Sequence, residues 1–409
     1  MSPSDFELRA VTADEIDMLL LADQRGFGGT PPTLEASRSW ALGELDRTRV
    51  AFDDGTPVGV SRTYTFELTM PGGALLPAAA VSWVSVLPTH RRRGVLTQMM
   101  AAMHDDARER GEPVAMLTAS ESLIYGRFGY GPATWRWGLR AQRTRIEFDT
   151  DGGHAGSMHL LTRGEAERAL PPIYDRVRCG RAGMVSRPEF WWPAVFFDHL
   201  GGGDKKAFFV AVHRDNAGRD DGYVAYEISG DWLGGLGDRQ LLVWDLQAEN
   251  TDTHLALWRY VFGVDLVADV VATNVAADDP LRFAVTDGRR VRVDFVNDML
   301  WIAPLDISTA LAARTYATDG SLVVEVHDTA GGKTCVALEG GPTGARCTAT
   351  DRDPDLVGPV QSVGAALLGG TKWSELAAAG RVDERSPGAL ARADLMFSTS
   401  PAPATLSYF

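Results

Sequence analysis

The residues of this chain best suited to chemistry lie in one stretch, Val81-Ser-Trp-Val-Ser-Val-Leu-Pro-Thr-His-Arg-Arg-Arg-Gly-Val-Leu-Thr97. An apolar strand runs into a basic loop, and a glycine stands where a helix begins. The first N–H groups of a helix have no intrahelical partner and sit at the positive end of its dipole. Such a terminus takes phosphate or pyrophosphate, and Arg91, Arg92 and Arg93 would add forked cationic donors. The same residues also describe a solvated basic loop before an ordinary helix, and Arg-Arg-Arg-Gly alone does not decide between the two.

Other motifs carry less. Gly332-Lys333-Thr334 copies the end of a phosphate-binding P-loop, but His327 stands where the first glycine belongs, and the segment reads as a hairpin turn. Gly126, Gly129 and Gly131 have the wrong order for a dinucleotide fingerprint. The eight histidines are scattered with no HExxH, and there is no GxSxG elbow, so the expectation is no metal site and no serine nucleophile. Cys179, Cys335 and Cys347 cannot form a disulfide framework; Cys335 with Cys347 is the one plausible bridge, and a reduced pair in strands is expected.

The elements that must position the basic loop read as alternating strands and helices. Phe6–Val11 is a strand, and Thr12-Ala-Asp-Glu opens a helix through Leu21 with a capping-box pattern. Val50–Phe52 and Val58–Leu68 flank the Asp53-Asp54-Gly55 turn, and the apolar run Ala78–Leu87 predicts a central strand. Gly94–Arg110 is an amphipathic helix, Val114–Ala119 a buried strand, Leu123–Phe128 a short helix, and Thr134–Phe148 an edge hairpin. The polar, turn-rich Asp149–Gly156 marks a boundary. The order then repeats: a hairpin of Ala207–His213 and Gly222–Ile228, a strand Leu241–Gln247, a helix Thr251–Val264 and a strand Asp269–Asn274. Near Trp301 the character changes to three strands, Leu322–His327, Thr334–Glu339 and Arg346–Thr350. Helices at Val357–Leu368, Trp373–Ala379 and Gly388–Phe397 follow. The expected organisation is residues 1–150, a diverged second copy at 151–300 and a third unit at 301–409. The tail Pro401–Phe409 ends on two aromatics, which favours docking into a groove as much as fraying.

Composition bounds the partners. Of 409 residues 45% are hydrophobic and 23% charged, which excludes disordered and fibrous classes. With 54 acidic against 40 basic residues the net charge is -14, which opposes a nucleic-acid partner and suits attraction of small cations. Met1-Ser-Pro-Ser-Asp lacks a basic start and an apolar core, and no stretch of about 18 apolar residues exists, so no membrane partner and a cytoplasmic location are expected.

Arg91-Arg92-Arg93-Gly94-Val95-Leu96 resembles the acetyl-CoA signature of the GNAT acetyltransferase superfamily, with Leu96 in place of a small final residue. A second segment, Ala119-Ser-Glu-Ser-Leu-Ile-Tyr-Gly-Arg-Phe-Gly-Tyr-Gly-Pro132, makes the chain similar to the Eis (enhanced intracellular survival) family over its whole length. The resemblance implies an α/β (α+β) architecture: tandem GNAT-like domains with mixed, mostly antiparallel sheets, then a sterol-carrier-protein-like domain. The segments Leu367-Leu-Gly-Gly370, Trp373-Ser-Glu-Leu376 and Ala389-Leu-Ala-Arg-Ala-Asp394 fit that last domain. The second copy has no Arg-x-x-Gly between Gln247 and His254, in keeping with a decayed cofactor site.

The same resemblance implies an acetyl-CoA-dependent N-acetyltransferase acting on aminoglycoside-like amines, with a homohexamer as the assembly. Val84, Ser85 and Val86 would pair with the pantetheine amides. Arg91, Arg92, Arg93, Gly94, Val95, Leu96 and Thr97 would cradle the pyrophosphate, with Ser120 and Glu121 completing the cofactor set. Tyr125 would be the general acid, although beside Leu123, Ile124 and Phe128 it could simply pack in the core. The α-carboxylate of Phe409 would be the general base, although an ordinary terminal carboxyl is a weak one near neutrality. Asp23, Glu35 and Asp46 are the candidate carboxylates for the amine. Two other readings compete: a lipid or hydrophobe carrier on a GNAT scaffold, and an acetyltransferase for protein lysines.

Overall fold

Three sheets carry the chain. The computed structural model describes residues 6–28, 43–149, 155–196, 206–230 and 239–409. The first sheet begins with β1 (Glu7–Arg9), β2 (Thr48–Asp53), β3 (Thr56–Thr69) and β4 (Leu75–Val86), and continues with β5 (Val114–Thr118) and the short β6 (Gly131–Pro132). The strand predicted to be central, β4, is the middle one of seven. Ala78, Ala79 and Ala80 are fully buried there, held antiparallel to β3 and parallel to β5. Small side chains let helices approach both faces. On those faces lie α1 (Ile16–Phe27), α2 (Val95–Glu109) and the one-turn α3 (Ser122–Tyr125). The first helix runs six residues beyond the expected end at Leu21 and stops where Gly28 turns left-handed.

The segment 134–148 is not an edge hairpin. β7 (Trp135–Gln142) is a single strand with neighbours on both sides, and it lies in the second sheet. Its alternation has another cause: Trp137, Leu139 and Ala141 face that sheet's core, while Arg140 on the other face reaches Asp294 at 2.8 Å. The second sheet also contains β8 (Ser157–Leu160), β9 (Lys206–Arg214), β10 (Asp220–Ser229), β11 (Gln240–Ala248), β12 (Asp269–Val275) and β13 (Arg292–Asp298). In return, β14 (Leu300–Pro304) leaves the second unit and inserts between β5 and β6. The first two sheets thus exchange a strand each.

Two helices belong to the second sheet. α4 (Arg163–Arg178) starts at a Thr162/Glu165 capping box and contains Pro171 and Pro172. It is not among the helices expected from the sequence, and its two prolines remove backbone donors from its interior. α5 (Thr251–Gly263) lies where it was expected. The third sheet consists of β15 (Gly320–His327), β16 (Lys333–Gly341), β17 (Gly344–Ala349), β18 (Leu356–Pro359) and β19 (Asp383–Glu384). The helix expected from Val357 begins only at Val360, because Leu356–Pro359 runs extended beside β15 and the residue before a proline avoids the helical region. That helix meets β6 and β14 at close range: a Cβ on Gly131 would stand 1.9 Å from the Gln361 carbonyl oxygen.

One apolar cluster joins all three units, from Tyr64 and Phe66 through Tyr223 to Tyr316 and Phe409. Cys179, Cys335 and Cys347 are free thiols. Cys347 sits opposite Leu338, so the two strands hold Cys335 and Cys347 out of register for a bridge. Gly332-Lys333-Thr334 lies at the β15–β16 turn, where Asp328 accepts from the Ala330 and Gly332 amides. No helix among the described residues is long and apolar enough to cross a membrane, and no group of three His, Cys, Asp or Glu among them could hold a metal.

Candidate active site

β4 and β5 part company after Ala80 and Met116. The cause is local: β4 bulges where its pairing with β3 steps from Arg62–Ser82 to Val60–Ser85, and Trp83 takes a left-handed φ of 52°. Fully buried Arg62 stacks over the Trp83 ring at 5.2 Å and donates to the Gly43 carbonyl. Between the diverging strands a cleft of about 590 Å³ opens. Val84, Ser85 and Val86 line one wall and Ser120, Glu121 and Tyr125 the other. Gly26 of α1 forms a third side, packed so near Ser85 that a Cβ would stand 2.5 Å from it.

The basic loop closes one end of this cleft. Arg92 and Gly94 both have left-handed φ, 63° and 93°. α2 starts at Gly94 with no side-chain cap among the described residues, so its first N–H groups remain available to an anion. Arg91 is steered by the carbonyls of Val86 (3.4 Å) and Gly26 (3.3 Å), and Arg91, Arg92, Val95 and Thr97 line the cleft. Arg93 is directed elsewhere: its guanidinium pairs with Asp53 at 3.1 Å and lies over the Phe6 ring. Leu96, the departure from the signature, packs its side chain against the Met100–Tyr125 cluster while still lining the cleft.

Tyr125 ends α3 with 5% exposure. Its ring meets Tyr130 edge-on at 6.1 Å, and Ile124 and Phe128 pack against the same cluster. Burial pushes the phenol up, only partly offset by a hydrogen bond with Ser120, so it keeps its proton at neutral pH. The packing reading and the chemical one therefore coexist: the ring is in the core and the residue lines the cleft.

Asp23 of α1 is a neighbour of Ser85, which lines the cleft. Burial raises it to about 7 against the pull of Ser85 and Arg62, and its Oδ1 has no hydrogen-bond partner among the described residues. Asp46 is instead tied to Arg110 at 2.7 Å, beyond the far end of α2. Glu35 lies outside the described residues. The sequence reading missed Gly26, Phe27 and Arg127 in the lining; the first two were hidden by ending α1 at Leu21.

The tail docks. Trp191 donates to the Tyr408 carbonyl at 2.7 Å, Thr405 donates to the Gly183 carbonyl at 2.7 Å, and Arg136 reaches the Tyr408 hydroxyl. Phe409 is 8% exposed with its ring edge-on to Phe66 at 5.2 Å. It lies in the buried cluster on which Trp83 packs, not in the lining of the 590 Å³ cleft.

Comparison with known proteins agrees with this layout. Residues 7–133 and 183–302 match acetyltransferase (GNAT) domain families, and residues 307–405 match the sterol carrier protein domain. An uncharacterized N-acetyltransferase of Streptomyces griseus is 36% identical over 97% of this chain and 98% of its own. The N-acetyltransferase Eis of Mycobacterium tuberculosis is 35% identical over 89% of this chain and 90% of its own. The crystal structure of Eis1 from Mycobacterium abscessus superposes with a TM-score of 0.87 at 33% identity, covering 98% of this chain and all of that one. An uncapped helix terminus beside splayed strands, repeated sheets and a carrier-like third unit thus have one common explanation: the chain belongs to the Eis family of GNAT N-acetyltransferases.

Proposed function

We propose that this N-acetyltransferase moves the acetyl group of acetyl-CoA to a primary amine of a polycationic small molecule of the aminoglycoside kind. The observation that carries the reading is the convergence, in one cleft, of the splayed Val84–Val86 segment, the uncapped terminus of α2 and the protonated Tyr125. The terminus and Arg91 and Arg92 suit the pyrophosphate, and the free edge of β4 suits the pantetheine amides. The acceptor nitrogen, once neutral, attacks the thioester carbonyl, the C–S bond breaks, the departing thiolate takes the phenol proton of Tyr125, and the proton shed by the acylated nitrogen restores the phenol through water. Backbone N–H groups at the bulge would stabilise the oxyanion. The ammonium proton passes to the α-carboxylate of Phe409, a role for which the docked tail is the structural condition, although Phe409 lies outside the cleft lining. Asp23 would hold a second ammonium of the acceptor, and the charge of -14 favours its approach. Steady-state kinetics of Tyr125→Phe tests the assignment: kcat falls while the KM for acetyl-CoA stays, and an unchanged kcat removes Tyr125 from the chemistry.

A further inference from the structure

The second sheet repeats the geometry of the first but does not repeat its equipment. β11 pairs in parallel with β12 from Gln240 to Val243 and then parts from it, as β4 parts from β5. It also bulges, at Trp244, where its pairing with β10 steps from Tyr226–Val243 to Ala225–Asp245. The residue after the bulge is Ser85 in the first unit and Asp245 in the second. The helix that follows is blocked as an anion site, because the Asn250 side chain accepts from the Thr253 amide at its start. The resulting cleft of about 430 Å³ is lined partly by the tail itself, through Pro401 and Leu406.

Asp245 meets Arg187, whose side chain is 1% exposed and lies over the Tyr174 ring at 3.6 Å. Each nitrogen of the guanidinium donates within the protein. Nη1 donates to Asp245 at 2.7 Å and to the Tyr223 hydroxyl at 2.8 Å. Nε donates to Ser407 Oγ at 2.9 Å, and Nη2 to the Leu406 carbonyl at 3.3 Å. The Tyr174 hydroxyl donates to the Val185 carbonyl at 2.7 Å, so Ser407 supplies the proton of its 2.9 Å contact with Tyr174. Tail departure would take the Ser407 and Leu406 acceptors from Nε and Nη2, so the tail is held by two charge-assisted hydrogen bonds.

We propose that the second acetyltransferase-like unit is the seat of the C-terminal tail: Asp245 fixes Arg187, and Arg187 holds Leu406 and Ser407 as positioning residues. The seat stands on these contacts alone; that it serves catalysis rests on the reading of Phe409 as base.

The test uses the full chain ending at Phe409, with Asp245→Asn, Arg187→Lys and the milder Ser407→Ala, which leaves the ion pair whole if the others fail to fold. Each folded protein is exposed to a carboxypeptidase specific for aromatic C-termini, and release of Phe409 is timed by mass spectrometry. Release should be about tenfold faster or more in the variants, because local opening of the tail becomes easier. Unchanged release in folded variants overturns the seat. Turnover is followed in the same samples. Faster release with lower kcat and an unchanged KM for acetyl-CoA supports both proposals; faster release with unchanged kcat supports the seat and removes Phe409 from the chemistry.

Discussion

Nε2 of His104 lies 2.9 Å from the phenol oxygen of Tyr130, in the layer directly behind Tyr125. Tyr130 is fully buried and His104 half-buried; desolvation lowers the imidazole to about 4, so it is neutral and shares one hydrogen bond with the phenol. The folded protein then binds fewer protons than the unfolded chain between about pH 4 and 6.5, and this site's stability contribution is lost as pH falls through that window. Tyr130→Phe should cost about 1–3 kcal/mol by leaving the ring nitrogen unpaired, read by urea unfolding at pH 7. A neutral result would mean that the nitrogen finds another partner.

Arg92→Ala should raise the KM for acetyl-CoA about tenfold or more with little change in stability, since a charge-assisted contact to phosphate is lost. Arg93→Ala should leave that KM nearly unchanged and remove the part-exposed Asp53 pair, worth under about 1 kcal/mol, together with the contact over the Phe6 ring. The opposite ranking would mean that the loop rearranges on binding.

The central strand could be found in the sequence because it has a local signature, the apolar run Ala78–Leu87. The basic loop before an amphipathic helix is open to two readings, and Tyr125 is singled out only through the resemblance carried by Tyr125-Gly-Arg-Phe-Gly-Tyr130. What could not be found there is long-range. Nothing in Trp135–Gln142 says that it pairs with Val270–Ala272 rather than folding back on itself, and nothing near Leu300 announces insertion beside Met116. Arg93 looks equivalent to Arg92 until Asp53 is brought beside it by the β2–β3 turn. The tail contacts of Arg187 span more than 200 residues of sequence and have no local trace.

Gly131→Ala tests the contact between the first and third units. The added Cβ would lie 1.9 Å from the Gln361 carbonyl oxygen and 2.8 Å from the Ala365 amide. Backbone on both sides leaves no flexible neighbour to move, so a loss of about 2–3 kcal/mol or more is expected in thermal or urea unfolding. Wild-type stability would show that the helix at Val360–Ala366 can shift away.

Asp23→Asn should raise the KM for a polyamine acceptor and flatten the rise of kcat/KM near pH 7, because the carboxyl titrates at about 7. The sign for stability is the reverse. A carboxyl raised from its ordinary value stays protonated in the folded state, so stability declines as pH rises from about 4 to about 7 and is level above. The variant should lack that decline. A pH profile and an unfolding series identical to those of the wild type would contradict the placement.

The most direct measurement is release of the CoA thiol from acetyl-CoA by the untagged chain ending at Phe409, against aminoglycosides, linear polyamines and a lysine peptide. Turnover with the aminoglycosides is expected, and Tyr125→Phe should reduce it by about 10²–10⁴-fold. Folded protein that binds acetyl-CoA yet acetylates only the lysine peptide, or none of the three, would contradict the proposed function.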